Sequence, residues 1–416
     1  MKVLHITTSC KGGAGIAALR LHEALCTQGV FSGYLSANLA INFNNVIIVD
    51  DFFKYKKPAF LKKMRIKFQK HFPFTRFQKS VQRFNSLKEN MEFEMATLPF
   101  SIYKLHKHPL VQEADIINLH WTGGILDYSS FFAKCQKPIV WTLHDMNPFQ
   151  GLFHYKNDEL RNSKIGADFD FEMKKIKRKA IRSIKNGAIV SPSKWLLKEA
   201  KKSNVFIGFN EEYIPNAIDL ELFKIQDKEK LRKRRGIESY EFVVLFVSDS
   251  LKNYRKGFDL LTEALLHLKN LKVTVLAIGK GEILHDGDLK IIALGEINSP
   301  LEMAECYGMA DVFILPSRED NLPNVMLESF ACGTPIVGFA IGGIAEHTVD
   351  SITGVLAEDM TAQSLAKAID KFYQTKNNYK DLIVRKYAEE NFSLKRQADS
   401  YISLYEKVLN KNKVEK

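Results

Sequence analysis

Val312-Phe313-Ile314-Leu315-Pro316-Ser317-Arg318-Glu319-Asp320-Asn321-Leu322-Pro323-Asn324-Val325-Met326-Leu327-Glu328 is the stretch whose reading decides the fold. Four apolar residues, Val312–Leu315, read as a buried strand. A polar loop follows, and a helical pattern then runs to near Gly333. A loop at the carboxyl end of a strand, feeding a helix N-terminus, is where open α/β sheets hold ligands. Asp320 falls in the loop, and Glu328 lies one or two turns into the helix, on a face able to turn back to the same place. Carboxylates accept hydrogen bonds from paired hydroxyls, and loop N–H groups suit a diphosphate. The plainer account is that both acids only favour a helix start electrostatically.

Outward from this stretch, short apolar strands alternate with helices, the pattern of parallel sheets with crossover helices. The first half predicts strands at Val3–Thr7, Val46–Val49, Asp115–His120, Ile139–Leu143 and Ala188–Ser191. The second predicts Phe242–Val247, Val273–Ile278, Ile291–Leu294, Val312–Leu315 and Ile336–Gly338. Ser299-Pro300-Leu301-Glu302 has the form of a helix start. Leu260, Leu261, Ala264, Leu265 and Leu268 make one apolar helical face.

A chain of 416 residues, 45% of them hydrophobic, suits two cores better than one. Ile214-Pro215-Asn216-Ala217-Ile218 breaks the rhythm. The division drawn is 1–205, 206–385, and a C-terminal helical segment 386–416 that packs back toward the first domain. The fold class expected is α/β.

Lys plus Arg is 60 and Asp plus Glu 48, a net charge of +12 that favours anionic partners without choosing among them. Cys10, Cys26, Cys135, Cys306 and Cys332 form no Cys-x-x-Cys pair and read as reduced thiols of a cytoplasmic protein. Met1–Thr8 reads as a buried strand, not a signal peptide. No apolar run nears the roughly 20 residues of a spanning helix.

Residues 52–87 hold eleven Lys or Arg and no Asp or Glu, interleaved with aromatic and aliphatic side chains. That composition suits an anionic membrane surface, on the inner face of the cytoplasmic membrane. A basic helical hairpin covering the first sheet is the other reading. Gly12-Gly13-Ala14-Gly15-Ile16-Ala17-Ala18 follows the first strand and opens a helix, where a backbone can approach a phosphate or sugar closely. A dinucleotide site would need an acid roughly 20 residues on to hold a ribose. No Asp or Glu occurs between Glu23 and Asp50.

With these residues in view, the chain resembles the retaining family 4 glycosyltransferases of the GT-B fold. The resemblance rests on the Asp320–Glu328 region, matching that family's E-x7-E, and on Ala331-Cys332-Gly333-Thr334-Pro335-Ile336-Val337 and Gly342-Gly343-Ile344-Ala345-Glu346. Lys256-Gly257, Pro192-Ser193-Lys194-Trp195, Pro215-Asn216-Ala217-Ile218-Asp219 and the opening glycine loop add to it. Leu119-His120-Trp121 and Trp141-Thr142-Leu143-His144-Asp145 look like a branch that makes bacterial surface polysaccharides.

The resemblance implies two Rossmann-like domains whose parallel sheets face a central cleft. It implies transfer of a sugar, with retained configuration and no metal, from a nucleotide diphosphate sugar to a glycan or lipid-linked acceptor. Glu328 matches the acid that binds the donor's ribose. Asp320 matches the acid that holds the transferred sugar, although the family usually has Glu there. Lys256 matches the lysine that neutralises the diphosphate. The partner Arg, about six residues earlier, falls at Asp249 or Ser250, and Arg255 is the candidate to compensate. His144 matches the histidine near the transferred sugar and acceptor. His144, Lys256 and Asp320 are thus the catalytic set. Gly12, Gly13, Arg255, Asn321, Leu322, Pro323, Asn324 and Glu328 are the donor-binding set. His120 and Trp121 read as packing at a strand end.

No cofactor and no metal are implied. The pairs Asp168/Asp170 and Asp286/Asp288 would suit a metal-dependent transferase, but neither closely follows an apolar strand. The charge also admits a nucleic-acid-binding protein, yet no zinc-finger spacing or aromatic RNA-binding signature occurs, so no nucleic acid partner is expected. A non-catalytic or altered-specificity relative is the remaining alternative, motivated by Asp320 and the missing Arg.

Overall fold

The computed structural model describes residues 1–38, 46–48, 75–268, 271–282 and 289–414. The chain divides into two compact units. One is Met1–Ser191 with Leu196–Ile214 and Ala398–Lys416; the other is Pro192–Trp195 with Pro215–Gln397.

The first unit is built on seven strands: β1 (Lys2–Ser9), β2 (Phe31–Asn38), β3 (Val46–Ile48), β4 (Ile116–Leu119), β5 (Ile139–Thr142), β6 (Gly187–Ser191) and β7 (Asn210–Tyr213). Their order is β3-β2-β1-β4-β5-β6-β7, and every pairing is parallel. Every residue of β4, β5 and β6 is buried, as a sheet covered on both faces requires. The C-terminal helix Leu394–Val414 joins this unit from Ala398 onward. Its Tyr401 hydroxyl lies 2.9 Å from Thr142 Oγ1, and its Tyr405 hydroxyl accepts from Asn118 Nδ2 at 2.7 Å.

The second unit has six strands: β8 (Phe242–Ser250), β9 (Val273–Lys280), β10 (Lys290–Gly295), β11 (Val312–Leu315), β12 (Ile336–Phe339) and β13 (Gly354–Ala357). Their order is β10-β9-β8-β11-β12-β13, again all parallel. Alternate residues of β8 serve opposite faces. Val243 and Leu245 enter one core, while Phe242, Val244 and Phe246 enter the other. The helix Phe258–Leu266 covers the second of these with Phe258, Leu261, Ala264 and Leu265. Ser299 caps the helix Pro300–Met309 by accepting from the Glu302 amide.

Both sheets therefore follow the doubly wound order in which the chain reverses direction beside its first strand. The reversal falls between β1 and β4 in the first unit, and between β8 and β11 in the second. All ten predicted strands form, with ends shifted by at most three residues. Three others carry weak local signals. β7 reads Asn-Glu-Glu-Tyr and lies at a sheet edge, where Glu211 and Glu212 pair with Lys201 and Lys407. β2 holds two serines among its buried residues and a half-buried glycine, and β13 is only four residues long.

Of the basic stretch 52–87, the structure describes residues 75–87. The helix Arg76–Leu87 opens with a capping box between Thr75 and Gln78. Phe77, Phe84 and Leu87 pack against a cluster that includes Met91, Phe153 and Phe169. Arg83 pairs with Glu172 at 2.8 Å and lies over the Phe169 ring. This part of the stretch thus spends its aromatics and one arginine on its own fold. Lys62, Lys63, Lys67 and Lys70 lie outside the described residues. No described helix is long and apolar enough to cross a membrane.

Candidate functional site

In the second unit, two loops at the reversal point carry the candidate residues. After β8 the chain makes a short turn, Tyr254–Lys256, started by Asn253, whose side chain accepts from the Arg255 amide. Gly257 follows with φ +74°, and a Cβ there would strike the Pro316 carbonyl oxygen, so only glycine fits. The loop after β11 is tied to this turn. The Arg318 amide donates to the Arg255 carbonyl at 2.7 Å, and its guanidinium grips Asp259 with two hydrogen bonds while lying 3.9 Å over the Tyr254 ring.

That tie brings Asp320 to the cations. Lys256 Nζ lies 2.6 Å from Asp320 Oδ2, and Arg255 lies 3.3 Å from the same oxygen and donates to the Glu319 carbonyl. The Asn321 amide donates to Asp320 Oδ1 at 3.0 Å. Burial pushes the Asp320 carboxyl up, but Lys256, Arg255 and the amide outweigh it and hold it below its ordinary value. Sequence reading treats Asp320 and Lys256 as acting on different parts of a ligand; here they are also partners of one another. Asp249 and Ser250 hold no cation. Asp249 instead accepts from Ser248 and Asn253.

The donor-binding candidates gather around the same loop. Asn321 Oδ1 accepts from Ser193, and its carbonyl accepts from the Gly343 amide. A Cβ on Gly342 would strike the Asp320 carbonyl, which explains the paired glycines. Leu322 is buried, and Pro323 stands at the start of the helix Asn324–Ala331. Asn324 Oδ1 accepts from Asn216 Nδ2 at 3.1 Å. Glu328 Oε2 accepts from the buried Tyr307 hydroxyl at 3.2 Å. Glu346 accepts from the Lys194 and Trp195 amides.

Gly12, Gly13 and His144 belong to the first unit. Gly12, at φ +75°, opens the helix Gly12–Thr27, and a Cβ on Gly15 would strike the Ser9 carbonyl. His144 follows β5 and lines a small polar pocket with His120, Trp121, Asp145, Asn147 and His154. Asp145 is its fixed anion. It accepts from His154 Nδ1 at 2.6 Å, from Trp121 Nε1 at 3.0 Å and from the Asn147 amide at 2.9 Å. Burial raises the Asp145 carboxyl, but His154 chiefly outweighs it, and the net shift is downward. Lys177 donates to Asn147 Oδ1 at 3.0 Å, and burial pulls its ammonium down to about 7.

His120 and Trp121, expected as packing, are indeed buried or half-buried, but their ring nitrogens belong to the pocket's hydrogen bonding. Sequence reasoning missed His5, His154, Lys177 and Tyr307. Each lies in an ordinary strand, loop or helix, with no local signal of its partner. Asp170 accepts from the Leu152 amide, while Asp286 and Asp288 lie outside the described residues. Among the described residues no group of three or more His, Cys, Asp or Glu is placed to hold a metal.

This architecture has recognisable relatives. Residues 241–375 match the family described as glycosyl transferases group 1. The chain is 32% identical over 171 residues to D-inositol 3-phosphate glycosyltransferase 1 of Catenulispora acidiphila, covering 36% of this chain and 40% of that protein. It is 28% identical over 272 residues to the putative teichuronic acid biosynthesis glycosyltransferase TuaC of Bacillus subtilis, covering 62% and 61%. The chain spans about half the length of the curated relatives it matches. Among solved structures, sucrose-phosphate synthase from Thermosynechococcus elongatus superposes with a TM-score of 0.68 at 17% identity, covering 99% of this chain and 100% of that one. Anabaena Alr3699/HepE, solved with UDP-glucose, gives 0.62 at 17% identity, covering 98% and 100%. The fold is that of the GT-B class.

Proposed function

We propose that this chain is a glycosyltransferase that moves a sugar from a nucleotide diphosphate sugar to an acceptor, with retained configuration and without a metal. The observation that carries the reading is the convergence of Arg255, Lys256 and Asp320 where β8 and β11 part. Departure of a nucleoside diphosphate concentrates charge on phosphate oxygens. Preorganised cations and loop N–H groups stabilise that charge as it develops. Lys256 and Arg255 do so here, with Arg255 taking the place of a cation absent at Asp249 and Ser250. Glu328, held by Tyr307, takes the ribose hydroxyls, and Asp320 positions the transferred sugar as it yields its cations to the diphosphate. His144 contacts the sugar or acceptor. The departing phosphate takes the acceptor's proton on the face it leaves, which retains configuration.

Similarity to proteins named for D-inositol 3-phosphate and teichuronic acid, and to a fold neighbour solved with UDP-glucose, supports a nucleotide-sugar donor and acceptors such as a phosphorylated polyol or a surface-polysaccharide precursor. The test is a panel of UDP-, GDP- and ADP-sugars read by thermal shift, since a ligand stabilises the fold it binds. NMR of the product then follows, with and without EDTA. Inverted product, or activity lost in EDTA and restored by manganese, would sink the reading. For the basic stretch we keep membrane contact to residues 52–74, with their eight cations. Failure to co-sediment with anionic vesicles at low salt would remove it.

A further inference from the structure

One buried ring of the first unit's pocket has its hydrogens fixed by its neighbours. His154, 2% exposed, lies between two side chains. Its Nδ1 is 2.6 Å from Asp145 Oδ2, and its Nε2 is 3.2 Å from Thr97 Oγ1. Thr97 reaches the ring because its segment runs beside the residues that precede His154. The Thr97 amide donates to the Leu152 carbonyl at 2.9 Å, and Ala96 bridges Phe153.

The hydrogens can be placed one after another, starting from Asn147. Its Nδ2 donates to two carbonyls, Leu152 at 2.9 Å and Phe153 at 3.2 Å, which fixes the way its side-chain amide faces. Its Oδ1 then meets Lys177 Nζ and Thr97 Oγ1, each at 3.0 Å. A carbonyl oxygen only accepts, so Thr97 gives it the one hydrogen its hydroxyl has. Toward His154 the Thr97 oxygen can therefore only accept, and His154 Nε2 carries the hydrogen between them. On the other side of the ring, Asp145 also accepts from the Trp121 indole and the Asn147 amide, the surroundings of a carboxylate. A separation of 2.6 Å from that carboxylate requires a hydrogen on Nδ1. The Trp121 N–H lies 3.0 Å from Asp145 Oδ2 and 3.3 Å from His154 Nδ1, and it goes to the nearer, charged atom. A ring with Nδ1–H alone would set its Nε2 lone pair against a Thr97 oxygen whose hydrogen is elsewhere. A ring with Nε2–H alone would set its Nδ1 lone pair against the carboxylate.

We propose that His154 is an imidazolium, with hydrogen on both ring nitrogens, and a positioning residue for the pocket: it forms a buried ion pair with Asp145 and through that carboxylate holds the Trp121 indole. Both hydrogens of the cation have acceptors, which a buried charge needs. Asp145 is then half of an ion pair, and it is not the base that takes the acceptor's proton. This last consequence rests on the reading of the pocket as ligand-facing and agrees with a proton that leaves on the donor's phosphate.

The test needs no turnover. The full chain is labelled with ¹⁵N in histidine and tryptophan, and long-range proton–nitrogen correlations are recorded at pH 7, with His154 assigned from the signals missing in His154→Gln. Both His154 nitrogens should be protonated. A ring with one protonated and one bare nitrogen would overturn the proposal. Thr97→Val keeps the shape and removes the oxygen facing Nε2, so His154 should become a neutral ring with Nδ1–H, and the Trp121 indole N–H signal should shift. Thr97→Ser should restore both signals. An unchanged His154 in the folded Thr97→Val variant would also overturn the proposal, and an unmoved Trp121 signal would overturn the positioning role. If Thr97→Val does not fold, the wild-type spectrum still decides. The two readings fail separately. A doubly protonated His154 in a chain that binds no nucleotide sugar sinks only the proposed function, whereas a singly protonated His154 in a chain that binds UDP-glucose sinks only this inference.

Discussion

The two reversal points share a topology and differ in chemistry. In each unit the first and fourth strands part, and the loops beyond them carry the candidate residues. Beyond β8 and β11 these are ions: Lys256, Arg255 and Asp320 in contact, with Arg318 and Asp259 locking the loops. Around β1, β4 and β5 they are mostly neutral rings: His5, His120 and His144 in a chain, with Asp145 and His154 beside it. The backbone supplies a place where chain ends diverge and N–H groups are available. The side chains decide whether that place presents fixed charges or neutral hydrogen-bonding rings.

The comparison breaks first at Lys256. Lys256→Ala should lower turnover by about 100-fold or more, the scale of losing one preorganised contact to developing charge. The fold should hold, because Arg255 still faces Asp320. Near-normal kinetics in a folded variant would mean that the charged region is structural.

A smaller and sharper effect separates the two acids. Glu328→Ala should mainly raise the donor's KM, because ribose contacts are present in ground and transition states alike. Asp320→Ala should mainly lower kcat. The reverse pattern would show that the roles are exchanged. Tyr307→Phe removes only the hydroxyl that donates to Glu328. Net loss of one hydrogen bond is worth roughly 1 kcal/mol, so donor affinity should fall about 3- to 10-fold with kcat little changed. An unchanged KM would show that Glu328 needs no such support.

The gentlest test is acid. Burial pulls His22 and His144 down to about 4, against an ordinary value near 6.5. Between those values the unfolded chain binds more protons than the folded one. The stability that these neutral rings contribute is therefore present above about 6.5 and lost as pH falls toward 4. Asp320 behaves differently. Its value is depressed, so its contribution persists through that window and is lost only below the ordinary carboxylate range. Melting temperature should fall progressively from pH 7 to 4.5, and the fall should be shallower in His22→Gln. A flat profile over that window would remove the contrast between the regions.

Much of this was legible in the chain. The ten strands announced themselves by short apolar runs, and Ser299 and the face around Leu261 by helix chemistry. β7 did not, because an edge strand needs no apolar run. β2 did not, because its serines are buried only by what the rest of the chain lays over them. Candidate residues were legible where a motif surrounds them, as at Asp320 and Glu328. They were illegible where their meaning is a partner: nothing near Tyr307 in sequence indicates that its hydroxyl faces Glu328.

By itself, then, the sequence determined the alternation of strand and helix, the glycines at Gly257 and Gly342, and the acidic loop at the end of β11. Each of these is a local matter of periodicity, backbone conformation or capping, settled within a few residues. Only the tertiary structure decided that Lys256 meets Asp320 across 64 residues, and that His5 meets His120 across 115 and His120 meets His144 across 24. Strand order and register set those meetings. They arise from packing two faces of a parallel sheet at once, a condition no local stretch contains.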